Sequence, residues 1–168
     1  NVIQKACEEI FIPIIVSGGI RNLFSIENAL KSGADKVAIN TQAVKTPEFI
    51  TEAAQTFGSQ CIVGAIDCKK NNDQWEVLTE NGRETTGLNA FDWACKLEDL
   101  GIGELFLTSV DMEGTKKGFD IDITKQISNK LSVPMIVSGG AGNIDHITQV
   151  SKETEVTGIA IASMLHYN

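Results

Sequence analysis

Short apolar runs alternate along the chain with longer stretches in which apolar and polar residues repeat at helical spacing. Six runs are apolar at nearly every position and predict strands at 12–16, 36–40, 61–66, 104–108, 134–138 and 158–162. The stretches between them predict helices near 23–32, 47–57, 89–100, 121–131 and 144–153. Strands this uniformly apolar belong in a parallel sheet that helices cover, so the alternation predicts an α/β fold.

Each predicted helix has a residue near its beginning that is typical of helix starts or turns. These residues are Ser25, Pro47, Asn89, Asp122 and Asn143. Their positions support the helix boundaries that the apolar spacing indicates.

Residues 69–87, with the sequence KKNNDQWEVLTENGRETTG, interrupt this alternation. The segment predicts a loop that carries a small hairpin, with Asn81 and Gly82 as its turn. It is too long for an ordinary strand-to-helix loop, and loops of this length usually have a function, often as lids.

One stretch occurs twice, as PIIVSGGI at 13–20 and as PMIVSGGA at 134–141. Each copy places Ser-Gly-Gly between a strand and a helix, and the next strand ends in small polar residues, Asn40 and Thr41 or Ser163. Glycine lets a backbone approach a ligand closely, and amides at a helix start donate to anions. A lone glycine pair is more often only a tight turn. Two such copies favour two phosphate sites and a ligand with a phosphate at each end.

The placement of these turns separates two parallel α/β folds. A doubly wound sheet has its main phosphate turn at the first crossover, whereas a (β/α)8 TIM barrel often binds phosphate after its last two strands. The second turn therefore favours the barrel. Six strands do not close an eight-stranded barrel, so we expect residues 1–168 to form a single partial barrel that lacks the first two βα units.

Composition excludes several classes of partner. A net charge of −8 argues against nucleic acid, and no apolar run reaches the roughly 20 residues that span a bilayer. The N-terminal stretch has no signal-peptide layout, so we expect a cytoplasmic protein.

The four cysteines Cys7, Cys61, Cys68 and Cys95 form no C-x-x-C pair. We expect them to be buried free thiols, and we expect neither a metal nor a cofactor.

Several stretches, spread from one end of the chain to the other, are similar to the sequences of one enzyme family. They are GGIR, GADKVAINT, FGSQCIVGAIDCK, the W-E-V…G-R…TG hairpin, GIGELFLTSVDMEGTKKGFD, VSGGAGN and IAIAS. In these stretches the chain resembles the cyclase subunits of imidazole glycerol phosphate synthase, a family of (β/α)8 enzymes of histidine biosynthesis. The resemblance implies that residue 1 lies in the helix after strand 2 and that the predicted strands are strands 3 to 8.

The resemblance also implies a reaction. The family uses ammonia to convert a bis-phosphorylated ribulosyl-formimino aminoimidazole carboxamide ribonucleotide into imidazole glycerol phosphate and aminoimidazole carboxamide ribonucleotide. Asp67 follows the strand at 61–66, at the rim where barrel enzymes carry their active sites, and it shares strand parity with Val63 and Ala65. Its position alone fits a capping or loop aspartate equally well.

By the resemblance, Asp67 matches one of the family's two essential aspartates and acts as a general acid and base. The other essential aspartate and a flexible loop belong to strand 1. We therefore expect the chain by itself to be inactive.

The resemblance assigns both phosphate sites. The first site takes Gly19, Asn40 and Thr41, and the second takes Gly114, Gly140 and Ser163. Two positions depart from the family's pattern: Glu113 stands where an aspartate is usual, and Ser17 stands where a glycine is usual. We expect Glu113 to alter the fit of its loop more than the chemistry.

Lys36 and Glu104 begin their strands and lie at the edge of the sheet opposite to the proposed chemistry. Charges at strand starts are ordinarily just solvated. The resemblance implies that the two form half of a four-charge gate for ammonia, which a glutaminase subunit docked on that face would deliver. Asp35 and Gln60 would face the same partner.

Two other interpretations remain open besides the related isomerase, which acts one step earlier and also carries two phosphate turns but lacks the Lys36–Glu104 pair as a gate. The chain could be a paralogue of the cyclase that serves nucleotide-sugar amidation. It could also be a non-catalytic, phosphate-binding fragment.

Overall fold

A computed structural model describes residues 2–10 and 12–166. Its helices are α1 (Val2–Glu9), α2 (Leu23–Lys31), α3 (Thr41–Lys45), α4 (Glu48–Phe57), α5 (Ala90–Leu100), α6 (Ile121–Ser128), α7 (Ile144–Glu153) and α8 (Ser163–His166). Its strands are β1 (Ile15–Ser17), β2 (Lys36–Ile39), β3 (Ile62–Asn71), β4 (Gln74–Thr79), β5 (Glu84–Asn89), β6 (Glu104–Ser109), β7 (Met135–Ser138) and β8 (Gly158–Ile159). A short 3₁₀ helix, Ser59–Cys61, precedes β3.

Six of the strands form one parallel arc. They follow the order β1-β2-β3-β6-β7-β8, and every neighbouring pair in this order is parallel. The arc curls into a half-barrel, which confirms the predicted α/β class and the partial barrel. All six strands therefore end at one edge, the carboxyl edge, and begin at the opposite amino edge.

The two faces of the sheet bury different residues because side chains alternate along a strand. One face packs against the helices in the main core, to which the strands contribute Val37, Ile39, Ile62, Ile66, Leu105 and Leu107. The concave face carries a smaller cluster, which Ala38, Val63 and Ala65 form with the partly buried Ile15 and Phe106. Small side chains on the concave face leave room above the sheet for a ligand.

Strand β3 is longer than its apolar run predicted, since it continues to Asn71. Beyond the parallel arc it pairs antiparallel with β4, which in turn pairs with β5. The predicted hairpin is confirmed, and Asn81 and Gly82 lie in its turn with φ of 60° and 75°. The predicted bounds of 69–87 are wrong, because residues 69–71 belong to β3 and β5 ends at Asn89. Strand β4 provides hydrogen-bond partners for the backbone of β3 beyond its apolar run. The hydrophobic pattern does not predict this extension, because it depends on backbone pairing.

All five helix-start residues lie at the N-cap or in the first turn of their helices, and two of them lie inside the helix. Asn22, not Ser25, is the N-cap of α2, and its side-chain oxygen accepts from the Ser25 amide at 2.9 Å. Asp120 occupies the N-cap position of α6, and Asp122 lies in the first turn. The N-cap positions at Pro47, Asn89 and Asn143 are confirmed. Helices α3 and α8 were not predicted, because five and four residues are too few to show a helical period.

All four cysteines are free thiols, but only Cys68 is fully buried. Burial raises the pKa of the Cys68 thiol to about 12. Cys7, Cys61 and Cys95 are half-buried, so the expectation of burial was wrong for these three.

Candidate active site

Both Ser-Gly-Gly turns lie at the carboxyl edge of the half-barrel. Gly18 and Gly19 follow β1 with φ of 88° and 73°, and Gly139 and Gly140 follow β7 with φ of 97° and 101°. These left-handed angles favour glycine, so both turns depend on this residue for their shape. The structure thus places both turns at one edge of the sheet, although they are far apart in the sequence.

The surroundings of the two turns differ. A Cβ atom added to Gly18 or Gly19 would meet no atom within 4 Å. A Cβ on Gly140 would collide with the carbonyl oxygen of Gly118, and the Gly118 amide donates to the Gly140 carbonyl at 2.8 Å. The first turn is therefore open to ligand, whereas backbone contacts fix the second turn.

The first turn opens into a cavity of about 560 Å³. This first cavity contains the predicted first phosphate residues Gly19, Asn40 and Thr41 together with Asp67. Charged side chains that the sequence did not single out also line it, namely Arg21, Lys45 and Glu80. The predicted phosphate site and the predicted catalytic carboxylate therefore share one cavity.

The second turn borders a smaller cavity of about 250 Å³, the second cavity. Gly140 and Ser163, two of the predicted second phosphate residues, line it, and Glu113 lines it in place of its neighbour Gly114. Phe106 lines both cavities. The two cavities consequently adjoin at Phe106 on the concave face.

Asp67 lies inside β3, and not just beyond the strand as predicted from its apolar run. It is paired with Thr108 of β6 on one side and with Leu78 of β4 on the other. It shares the concave face with Val63 and Ala65, as its parity predicted. A position between two hydrogen-bonded strands holds the carboxylate rigidly at the end of the first cavity.

Partial burial changes the acidity of Asp67. Burial raises the pKa of its carboxyl above the ordinary value of 3.8, and the negative charge of Glu113 acts in the same direction. Hydrogen bonds from Asn40 and Thr108 oppose the shift without cancelling it. A carboxyl with a raised pKa is better suited than an exposed one to donate and to accept a proton near neutral pH.

Asn40 connects the first phosphate residues with Asp67. Its Nδ2 donates to Oδ2 of Asp67 at 3.0 Å and to the Leu78 carbonyl oxygen at 3.1 Å. Its Oδ1 is buried and has no hydrogen-bond partner within residues 2–10 and 12–166. An unsatisfied acceptor beside a cavity favours a ligand that can donate a hydrogen bond there.

Thr41 attaches the hairpin to the same region. Its Oγ1 accepts from the Glu80 amide at 3.0 Å, which leaves its hydroxyl proton available to donate. Sequence reasoning missed this role of the hairpin, because no local pattern shows that residues 78–81 fold back over β2.

Lys36 and Glu104 form an ion pair at the amino edge. The Lys36 Nζ and Glu104 Oε2 atoms are 2.8 Å apart, and the side chains are 32% and 12% exposed. The pair crosses β3 on the concave face, at the end opposite to Asp67. These residues are thus not ordinary solvated charges. Nearby, Asp35 Oδ2 accepts from the Ile14 amide at 2.8 Å, and Gln60 is exposed.

Within the described residues, no group of three or more His, Cys, Asp or Glu side chains is placed to hold a metal ion. No helix in the described part of the chain has the length and apolar character needed to cross a bilayer.

A curled parallel sheet with its candidate chemistry at the carboxyl edge is typical of (β/α)-barrel enzymes, whose active sites lie at that edge. The profile of the histidine biosynthesis protein family matches residues 1–168, and the chain belongs to this family. The family contains isomerases and cyclases of histidine biosynthesis.

Proposed function

We propose that this chain serves the cyclase reaction of the family, to which it supplies Asp67 and both phosphate sites. In that reaction a bis-phosphorylated ribulosyl-formimino precursor and ammonia form imidazole glycerol phosphate and aminoimidazole carboxamide ribonucleotide. One observation carries the proposal. The half-buried carboxylate of Asp67 faces a concave surface on which two cavities, each next to a Gly-Gly turn, adjoin at Phe106.

The two cavities suit a substrate with a phosphate at each end. One phosphate would bind at the open glycine turn of Gly19 and at the Thr41 hydroxyl. Asn40 would border this phosphate, with its side-chain nitrogen engaged by Asp67 and Leu78. The other would bind at Gly140 and Ser163, with Gly114 in the adjoining loop. Anchoring both ends orients the reacting centre between them, and such positioning lowers the entropic part of the barrier.

Asp67 would move the protons that ring closure requires. Ammonia attacks a carbonyl carbon, water leaves, and a carbon–nitrogen bond breaks, and each of these steps transfers a proton. The raised pKa of Asp67 suits both directions of transfer. Asn40 would hold the carboxylate in place through its 3.0 Å hydrogen bond.

The amino edge would receive ammonia. In this proposal Lys36 and Glu104 form part of a gate, and a glutaminase subunit docks on the face that also carries Asp35 and Gln60. The half-buried ion pair supports the proposal, because burying two charges costs free energy. A role as a gate that opens to admit ammonia would explain why the two charges are nevertheless partly buried.

One assay separates the candidate activities. The intact protein is incubated with the bis-phosphorylated ribulosyl-formimino ribonucleotide and an ammonium salt, and imidazole glycerol phosphate is quantified. Its formation is the expected result. In a parallel incubation with the aldose precursor, its conversion into the ribulosyl form without ammonia consumption would identify an isomerase instead. Absence of both reactions would refute the proposed function.

A further inference from the structure

An ion pair at the first cavity has no role in the proposed reaction. The Lys45 Nζ and Glu80 Oε1 atoms are 2.8 Å apart, and both residues line the cavity. Lys45 ends the short helix α3, and Glu80 begins the turn between β4 and β5. The pair therefore connects the hairpin turn with the element that follows Asn40 and Thr41.

The backbone around Glu80 is held independently of this pair. Glu80 has a φ of 50°, and its amide donates to Thr41 Oγ1 at 3.0 Å. The hydrogen bond and charge of Lys45, with a further contribution from Arg21, hold the pKa of Glu80 below its ordinary value. Glu80 is thus an ionised carboxylate that is paired with Lys45.

The charges that line the first cavity balance one another. Arg21 and Lys45 are cationic, whereas Asp67 and Glu80 are acidic. A phosphate group beside Gly18 and Gly19 would add about two negative charges and would need cations near it. A lysine ammonium has three donors on a flexible stem, and exposed ion pairs are held weakly, so Lys45 can exchange one anion for another.

We propose that Lys45 is a phosphate-binding residue of the first cavity and that Glu80 competes with the phosphate for it. Ligand binding then moves the Lys45 ammonium from Glu80 to the phosphate, with Arg21 as the second cation. The inference rests on the proposed function only in taking the ligand's phosphate into this cavity. Glu80 thereby lowers phosphate affinity and favours release.

The test is a double-mutant cycle with inorganic phosphate as the probe. Phosphate is titrated into the intact protein, and the apparent Kd is read from the backbone amide NMR signals of Gly18, Gly19 and Thr41, which report on the first cavity alone. We expect Lys45→Met to weaken binding about tenfold, because a charge-assisted hydrogen bond is lost. We expect Glu80→Gln to tighten binding about threefold, because the competitor is removed.

The double variant distinguishes two roles of the Lys45–Glu80 pair. Either Glu80 competes with phosphate for Lys45, or the pair only stabilises the hairpin. If Glu80 acts only through Lys45, the Lys45→Met/Glu80→Gln variant binds phosphate as weakly as Lys45→Met alone. A pair that merely stiffens the hairpin predicts weaker binding from Glu80→Gln. Unchanged or weaker binding by Glu80→Gln, or absence of phosphate shifts at Gly18, Gly19 and Thr41 in the unmodified protein, overturns the inference.

The chain offers a matched control pair. Lys31 and Glu27 form an exposed ion pair on α2 and do not line the first cavity. Lys31→Met and Glu27→Gln make the same changes of charge, and we expect them to leave the apparent Kd within about twofold of the unmodified value. The binding readout is independent of turnover. A protein that fails the cyclase assay but passes this cycle refutes the proposed reaction and keeps the role of Lys45.

Discussion

Asp67 is both partly buried and the candidate catalytic residue. Its carboxylate lies in a strand, is half-buried, and is oriented by Asn40. Such a position favours catalysis, because a held carboxylate with a raised pKa can exchange protons with a bound substrate. It also disfavours folding, because ionising a partly desolvated group costs free energy.

We expect Asp67→Asn to lower cyclase turnover in the intact protein by about 10²–10⁴-fold, since the amide keeps the shape but cannot accept the proton. Phosphate binding in both cavities should change little. Turnover with ammonium salt and a phosphate titration measure the two effects. The control is Asp73→Asn, at an exposed aspartate in the turn after β3, which should turn over normally. Normal turnover of Asp67→Asn would remove Asp67 from the mechanism.

The same substitution should stabilise the fold at neutral pH. The pKa of Asp67 is raised on folding, so the folded state holds the proton more tightly than the unfolded chain. The free energy of unfolding therefore falls as pH rises above the ordinary value of 3.8, and the penalty is complete once the folded carboxyl has ionised.

Urea denaturation of wild type and Asp67→Asn across pH 3–8 measures this effect. We expect the variant to have the higher midpoint at pH 7, with a gap that closes as the pH falls towards 3.8. A gap that widens on acidification would mean that the carboxylate is stabilised in the fold.

At the scale of elements, the hairpin of β4 and β5 is attached at both of its ends. Its turn is held by the hydrogen bond to Thr41 and also contacts Lys45. At the other end, the Trp75 indole nitrogen donates to Asp120 Oδ2 at 2.7 Å, which connects β4 with the loop that precedes α6. The hairpin thereby connects the region of the first cavity with the loop that contains Gly114.

Replacing Trp75 with phenylalanine removes this connection. We expect Trp75→Phe to lower the free energy of unfolding by about 2 kcal/mol, because the Asp120 carboxylate loses a short hydrogen bond. Urea denaturation at pH 7 measures the change.

The matched control is Trp93→Phe, at an indole nitrogen that is buried without a partner in the described part of the chain. It removes the same atoms but no hydrogen bond, so it should cost less than Trp75→Phe. Equal losses for both substitutions would mean that the Asp120 bond contributes nothing to stability.

At the scale of the whole molecule, the half-barrel separates two charged regions. Asp67 and the glycine turns lie at the carboxyl edge, and the Lys36–Glu104 pair lies at the amino edge on the same concave face. Small side chains at Ala38, Val63 and Ala65 lie between them. A molecule as small as ammonia would travel along this face in the proposed function.

In the proposed complex with a glutaminase, we expect Lys36→Met to reduce glutamine-dependent turnover, because the proposed gate would lose one of its charges. Turnover with ammonium salt should stay close to the wild-type rate, since free ammonia reaches Asp67 from the carboxyl edge. The two assays on one preparation provide the comparison. Equal losses in both would show that the ion pair serves folding.

The sequence alone predicted the class of fold and much of the candidate site. Uniformly apolar runs determine the parallel strands, and strand parity placed Asp67 on the concave face with Val63 and Ala65. The repeated Ser-Gly-Gly predicted both turns at one edge. These predictions succeeded because they depend on local periodicity and on glycine's access to positive φ. Both properties are determined by residues that are close together in the sequence.

Only the tertiary structure decided how the two glycine turns differ and which side chains meet. Gly19 is open and Gly140 is fixed by Gly118, although both lie in the same local sequence. Asn40 reaches Asp67 across 27 positions, and Lys36 reaches Glu104 across 68. Contacts of this kind arise from the register of paired strands and from the return of the hairpin over β2. Hydrophobic periodicity within one segment carries no information about either, because register is a relation between segments.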